Sequence, residues 1–99
     1  MILGRVTGSV VSSHKEELLE GSKFLIVEKL DAATMKGGGD YVIAIDGVGA
    51  GVGEVVFFVA GSSARMTAVT QGRPADATIT AIVDLVTMDG TEVYRKDAP

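Results

Sequence analysis

Alternating glycines between residues 47 and 53 constrain this chain more than any other feature. From Asp46 to Glu54 the sequence reads Asp-Gly-Val-Gly-Ala-Gly-Val-Gly-Glu, and no residue between the glycines is larger than valine. Such a backbone reaches positive φ and approaches another backbone at little steric cost. The six apolar residues that follow, Val55–Ala60, are mostly β-branched or aromatic and too few for a free-standing helix. They predict a strand that is buried on both faces.

A strand with no solvent-exposed face is unusual in a small domain. The chain has 99 residues, enough for one domain that buries roughly 60 to 70% of its unfolded surface in a single core. We therefore expect a single domain over residues 1–99. One explanation for the apolar strand is that another copy of the protein covers one of its faces.

Composition excludes several classes of protein. With 46% hydrophobic residues, 13 glycines and two prolines, the chain is globular and rich in turns. The absence of cysteine excludes disulfides and thiolate metal sites and suits a reducing cytoplasm. The N-terminus reaches a charge and a glycine within five residues, so it predicts neither a signal peptide nor a membrane span. A net charge of -4 and a pI near 4.8 argue against a nucleic acid as partner.

Apolar periodicity predicts an all-β fold of short strands. The predicted strands are residues 2–11, 23–30, 41–45, 55–60, 78–85 and 92–94. In the first half of the chain, the predicted connections are a polar loop with room for a helical turn at 12–21 and a flexible tip of three glycines at 37–39. In the second half they are a serine-capped helical turn at 62–66, a polar loop at 70–76 and a hairpin turn at 89–90. A loose charged tail is predicted at 95–99. Five or six strands with one short helical turn between the fourth and the fifth fit a small closed barrel of the oligonucleotide/oligosaccharide-binding (OB) type. Periodicity alone does not separate this barrel from another small barrel or sandwich.

Motifs for nucleotide or metal binding are incomplete. The glycine-rich segment lacks the spacing of a dinucleotide fingerprint, because position 52 is valine and position 54 is glutamate, and it lacks the Gly-Lys-Ser/Thr ending of a P-loop. His14 is the only histidine and stands in a polar stretch, which favours a surface residue over a metal ligand or a general base. We therefore expect neither a metal nor a cofactor.

Candidate catalytic groups have equally ordinary interpretations. Four carboxylates stand at motif-like positions: Asp46, Glu54, Asp76 and Asp84. No nucleophile is spaced with them, and turn capping or pairing with Arg65 or Arg73 is the favoured role. Ser62 and Ser63 lie outside a nucleophile elbow. Four aromatic residues lack a surrounding basic patch and are predicted in the core rather than as a base-stacking surface: Tyr41, Phe57, Phe58 and Tyr94.

Several motifs together carry a family resemblance. They are the segment from Asp46 to Glu54, then Gly61-Ser-Ser-Ala-Arg65, Pro74-Ala-Asp76 and Ile82-Val-Asp84. Gly8, Val10, Val11 and Lys15 near the start, with Gly21, Lys23 and Leu25 at the entry to the second strand, match the same pattern. The chain resembles the EutN/CcmL family of bacterial microcompartment vertex proteins over nearly its whole length.

This resemblance implies a structural role without catalytic residues. Members of the family are small barrels that form homopentamers at the corners of polyhedral shells in the bacterial cytoplasm. The implied partners are further copies of the chain and hexagonal shell proteins, with neither nucleic acid nor membrane. We expect the subunit contact to include Asp46, Gly47, Gly49, Ala50, Gly51, Gly53, Glu54, Arg65 and Asp76, with Arg65 bonded to Glu54 or Asp76. The alternative from another class is a barrel that binds single-stranded nucleic acid, and an enzyme would need a site that the sequence does not contain.

Overall fold

The computed structural model is an all-β barrel with an added hairpin, and it describes residues 1–11, 23–61 and 77–97. Its strands are β1 (Ile2–Val10), β2 (Phe24–Leu30), β3 (Gly37–Asp46), β4 (Val55–Ala60), β5 (Ala77–Ile82), β6 (Leu85–Met88) and β7 (Thr91–Arg95). The first five strands close a barrel in the order β1-β2-β3-β5-β4, and β6 and β7 form a separate two-stranded sheet. The predicted closed barrel is confirmed. The predicted loop at 12–21 and helical turn at 62–66 lie outside the described residues.

The barrel closes through a short parallel seam. All other neighbouring strands in it pair antiparallel, whereas β3 and β5 pair in parallel through Ile45↔Thr78 and Asp46↔Ile79. The long strand β1 pairs with β2 on one edge and with β4 on the other. Because β3 ends at the seam, the glycine-rich segment that follows it begins at the same end of the barrel.

The interior of the barrel is filled by branched and aromatic side chains. Five of the most buried are Val6, Leu25, Val27, Phe58 and Ile79. A Cβ atom at position 4 would collide with the side chains of Val27 and Phe58, so only glycine fits on β1 there. Strand alternation then directs the neighbouring residues to the outside of the barrel.

Strand β3 begins earlier than predicted. The three glycines at 37–39 belong to the strand, Gly37 pairs with Leu30, and the Gly39 N–H donates to Glu28 Oε2 at 3.2 Å. The prediction of a flexible tip is therefore wrong. The turn lies before the glycines, where the carboxylate of Asp31 accepts the N–H groups of residues 33 and 34.

The predicted strand 78–85 is divided in the structure. Strand β5 ends at Ile82, and the Val83 N–H donates to the Val55 carbonyl at 2.8 Å. The Lys96 N–H donates to the Asp84 carbonyl at 2.8 Å, which brings the two ends of the β6–β7 hairpin together. The Asp89-Gly90 turn is confirmed, with φ values of 53° and 78°. The predicted loose tail is wrong for Arg95, which lies in β7 and pairs with Glu92.

Candidate functional site

Asp46 sets the shape of the glycine-rich loop, which we define as residues 46–54. Its Oδ1 atom accepts three backbone N–H groups, from Val48 at 3.0 Å, Gly49 at 3.1 Å and Ala50 at 3.2 Å. The side chain is only 4% exposed, and Lys23 Nζ lies 3.8 Å from Oδ2. Lys23 also donates to the Ala50 carbonyl at 3.0 Å. The loop therefore curls around one buried carboxylate.

Glu54 fixes the other end of the loop. Its Oε1 atom accepts the Gly51 N–H at 2.6 Å, and its Oε2 atom lies 2.9 Å from Lys96 Nζ. The hydrogen bond from Lys96 and then that from Gly51 hold the pKa of the Glu54 carboxyl below its usual range. The same bond raises the pKa of Lys96. The expected partners of Glu54 from the sequence were arginines, but in the described residues its cation is Lys96 from beyond β7.

Backbone bonds tie the loop to β1. The Gly53 N–H donates to the Val6 carbonyl at 2.8 Å, and the Val6 N–H donates to the Glu54 carbonyl at 2.9 Å. Positive φ occurs at Gly49, with 79°, and at Gly53, with 93°. Gly51, between these two glycines, has no positive φ.

Some residues of the loop are buried in the barrel and others are exposed to solvent. Ala50 is fully buried in the core, and Gly47 lies in the bend directly after Asp46. Val52 is 67% exposed and Val48 is also exposed. These two valines are not among the contact residues predicted from the sequence, although their place between the glycines was the available signal. Val48 and Val52 therefore form the exposed apolar surface of the loop.

Strand β4 carries an uncovered aromatic side chain on its outer face. Phe57 is 36% exposed, whereas Phe58 beside it is fully buried. The prediction that both faces of this strand are buried is therefore wrong for the isolated chain. Phe57 pairs with Leu3 on β1 and with Ala81 on β5. We call Leu3, Phe57 and Ala81 the β4 patch.

A second apolar surface lies on strands β2 and β3. Ile43 is 56% exposed, Tyr41 is also exposed, and Ile43 pairs with the half-buried Ile26. The core prediction is wrong for Tyr41, as for Phe57, because both lie out of phase with the inward-facing residues of their strands. We call Ile26, Tyr41 and Ile43 the β2–β3 patch.

The described residues contain neither a metal-binding cluster nor a membrane-spanning helix. Within 1–11, 23–61 and 77–97, no three acidic or imidazole side chains come together to hold a metal ion. No helix in those ranges is long and apolar enough to cross a membrane. Arg65, Asp76 and His14 lie outside these ranges, so the predicted Arg65 contact stays a prediction.

Substitution at Gly49 tests the conformation of the loop. Because its φ of 79° lies in the left-handed region, Gly49→Ala should cost about 1 to 2 kcal/mol of folding free energy. Gly51→Ala is the matched control, since its added Cβ would lie 3.5 Å from Glu54 Oε1, an ordinary contact, without positive φ. Denaturant unfolding at one protein concentration measures both. Equal losses in the two variants would contradict the assigned strain.

The contact between Glu54 and Lys96 should depend on pH. The folded-state pKa of Glu54 lies below its ordinary value of 4.5, so the stability that the contact contributes is fully present above that value and is lost as pH falls through the folded pKa. Unfolding of the parent chain and of Glu54→Gln, measured side by side from neutral to acid pH, should converge at acid pH. A difference that stays constant over this range would show that the carboxylate does not supply it.

Comparison with known proteins adds a consistent set of matches. A family model described as ethanolamine utilisation protein EutN/carboxysome matches residues 1–84, ending directly before β6. The carboxysome shell vertex protein CcmL of Gloeobacter violaceus is 45% identical over 96 residues, which cover 97% of this chain and 95% of that protein. The solved structure of Gloeobacter violaceus CcmL matches with a TM-score of 0.92 and 43% identity over 99% of this chain and 100% of that chain. The pentameric microcompartment shell protein GrpN of Rhodospirillum rubrum matches with a TM-score of 0.80 and 41% identity over 89% of this chain and 99% of that chain.

Proposed function

The chain belongs to the EutN/CcmL family of microcompartment vertex proteins, and on that premise we propose that it is a structural protein whose homopentamers occupy the fivefold vertices of a bacterial microcompartment shell. Its partners are further copies of itself and the hexagonal proteins of the shell facets, in the bacterial cytoplasm. The role is geometric rather than enzymatic. A flat layer of hexagonal tiles cannot close without fivefold corners, and a ring of five wedge-shaped subunits supplies them.

The uncovered apolar side chains on the barrel carry this proposal. Phe57, Ile43 and Tyr41 are large residues exposed on regular strands of a barrel whose interior is already filled. Exposed apolar surface of this kind is typical of contacts between proteins. The pentameric state of the structural relative GrpN supports a ring of copies as the assembly that covers it.

The glycine-rich loop belongs to the same proposal. Asp46 and Glu54 bind the loop's own backbone, so we assign them the role of shaping it, while Val48 and Val52 present its surface. We place the loop, with its glycines at 47, 49, 51 and 53 and with Ala50, at or near the contact between copies. Arg65 and Asp76 remain proposed contact residues on the strength of the family pattern.

Charge disfavours a nucleic-acid role for the same surface. The chain has a net charge of -4, and Lys29, near the exposed Tyr41, forms an ion pair with Asp40 at 3.2 Å. A base-stacking surface needs unpaired cations around its aromatic rings to bind the phosphates.

Mass in solution tests the proposal directly. Five chains of 10.2 kDa give a ring of about 51 kDa, and native mass spectrometry at micromolar concentration should show that species with little free subunit. A titration with single-stranded oligonucleotide at low salt should show no binding. A species of one chain only, or a monomer that binds the oligonucleotide, would contradict the proposed role.

A further inference from the structure

We propose that the carboxylate of Glu54 is a pH-sensitive latch between the glycine-rich loop and the β6–β7 hairpin: while ionised it holds both in place, and once it is protonated the foot of the hairpin comes away from the barrel. The latch lies within one subunit, so it does not depend on the number of copies in an assembly. Lys96, directly after β7, is the residue of the hairpin foot that the latch holds.

One carboxylate joins two segments that are distant in the sequence. Glu54 Oε1 accepts the Gly51 N–H at 2.6 Å, and Glu54 Oε2 lies 2.9 Å from Lys96 Nζ. Both side chains of this ion pair are partly withdrawn from solvent, with 24% of Glu54 and 33% of Lys96 exposed. Solvent screens such a pair less than a fully exposed one, so the loss of either charge should change both segments.

The backbone of Glu54 provides a fixed base for the latch. Its carbonyl accepts the Val6 N–H at 2.9 Å, its own N–H donates to the Gly51 carbonyl at 3.2 Å, and the Gly53 N–H donates to the Val6 carbonyl at 2.8 Å. Strand β1 thus holds this residue in place, and β4 begins directly after it. When the ion pair breaks, the segment that is free to move is the hairpin.

The hairpin has few other attachments to the barrel. Strands β6 and β7 pair with each other and form a sheet of their own. Among the ion pairs of the described residues, that of Glu54 with Lys96 is the one that joins the hairpin to the barrel, whereas that of Glu92 with Arg95 lies within the hairpin. A two-stranded hairpin is marginally stable by itself. Its position therefore depends on the residues at its foot.

The foot of the hairpin lies against the start of β4. The Val83 N–H donates to the Val55 carbonyl, and the Lys96 N–H donates to the Asp84 carbonyl, both at 2.8 Å. Val55 lies in phase with Phe57 on the outer face of β4, yet it is fully buried, and Val83 is only 6% exposed. Movement of the foot should uncover Val55. The latch therefore controls how far the exposed apolar face of β4 extends.

The charges around the latch favour its closed state at neutral pH. The hydrogen bond from Lys96 is the main cause that lowers the pKa of Glu54, and the positive charge of Lys23 acts in the same direction. Glu54 in turn raises the pKa of Lys96, with smaller contributions from Asp97 and Asp84. These are the charged groups that face the pair in the described part of the chain. Because the folded-state pKa of Glu54 lies below its ordinary value of 4.5, the latch is closed above that value and opens as pH falls through the folded pKa.

An NMR titration tests the latch in the parent protein. The carbon-13 signal of the Glu54 carboxyl should titrate with a midpoint below the ordinary pKa of 4.5. The amide signals of Gly51 in the loop and Val83 at the foot of the hairpin should change with that same midpoint. A Val83 signal that is constant through the titration of Glu54, or that follows another midpoint, would overturn the latch.

Hydrogen exchange at neutral pH measures the release without titration. Lys96→Met nearly keeps the length of the side chain but removes its charge, so the Val83 amide should exchange about tenfold faster than in the parent, and the Gly51 amide should also exchange faster. Arg95→Met is the matched control, because Arg95 is the neighbouring residue and also binds a glutamate, but within the hairpin. It should leave both rates unchanged, and Lys96→Arg should restore them.

A double variant distinguishes a shared latch from two separate contacts. Glu54→Gln removes the other charge of the pair, so it should speed exchange at Val83 to the same extent as Lys96→Met. The double variant should exchange at Val83 no faster than either single variant, because each change alone already opens the latch. Additive effects of the two changes, an unchanged Val83 rate in Lys96→Met, or an equal effect of Arg95→Met would each overturn the proposal.

Discussion

Replacement of Phe58 by alanine should lower the free energy of unfolding by about 3 to 5 kcal/mol. Phe58 is fully buried and belongs to the core cluster of the barrel, and its ring occupies the space that Gly4 leaves open on β1. Truncation removes apolar area from the core and leaves a cavity that the closed barrel cannot easily fill. Denaturant unfolding followed by circular dichroism, at several fixed protein concentrations, measures the loss.

Phe57→Ala is the matched comparison for this prediction. It changes the neighbouring residue of the same type on the same strand, but on the outer face. The loss at Phe58 should be the same at every protein concentration, because it arises within one subunit. The loss of unfolding free energy in Phe57→Ala should change with protein concentration, because this loss arises through assembly. Two concentration-independent losses of equal size would contradict the assignment of the two phenylalanines to opposite faces.

Asp46→Ala should cost about 2 to 4 kcal/mol, the second largest effect that we expect. Its carboxylate accepts three N–H groups at 3.0 to 3.2 Å, and hydrogen bonds to a charged acceptor contribute about 1.5 to 3 kcal/mol each but do not add fully. The exposed amides of Val48 and Gly49 can bind water after the change, which keeps the total below the sum. Unfolding measures the loss, and amide hydrogen exchange at 48 to 50 measures its local part.

Asp46→Asn separates the acceptor from the charge. The amide oxygen of asparagine can still accept the N–H groups, but the ion pair with Lys23 is lost, so this variant should recover part of the stability. Amides 48 to 50 that stay as protected in Asp46→Ala as in the parent would show that the carboxylate does not hold the loop.

The strand pattern was predictable where local sequence dominates. Strand β4 has the predicted bounds because its β-branched and aromatic residues are uninterrupted, and the hairpin turn was predictable from Asp89-Gly90 alone. The start of β3 was not, because glycine carries no strand signal. What holds Gly39 in the strand is a bond from its N–H to Glu28, whose side chain comes from β2.

The bounds of the glycine-rich loop were predictable from the sequence, but the contacts of its carboxylates were not. The sequence marked Asp46 and Glu54 as the ends of a special loop, and the structure places both on the loop's own backbone. The partner Lys96 could not be predicted, since it arrives through a hairpin that the sequence pattern did not tie to the loop. The uninterrupted apolar run of β4 did not distinguish its two faces, so both Phe57 and Phe58 were predicted in the core, although Phe57 lies exposed on the outer face.

The bonds that Asp46 and Glu54 make inside one subunit have a consequence for the thermodynamics of ring formation. The loop is already ordered before any copy meets another, because its bends depend on its own carboxylates. Ordering flexible residues at an interface costs about 0.5 to 1.5 kcal/mol for each side chain immobilised, and this cost opposes association. We have proposed that the loop lies at or near the contact between copies, and a loop that is rigid in the free subunit then spares each of the five contacts that entropy loss. Variants that loosen it should therefore weaken the ring even when every residue at the contact is unchanged.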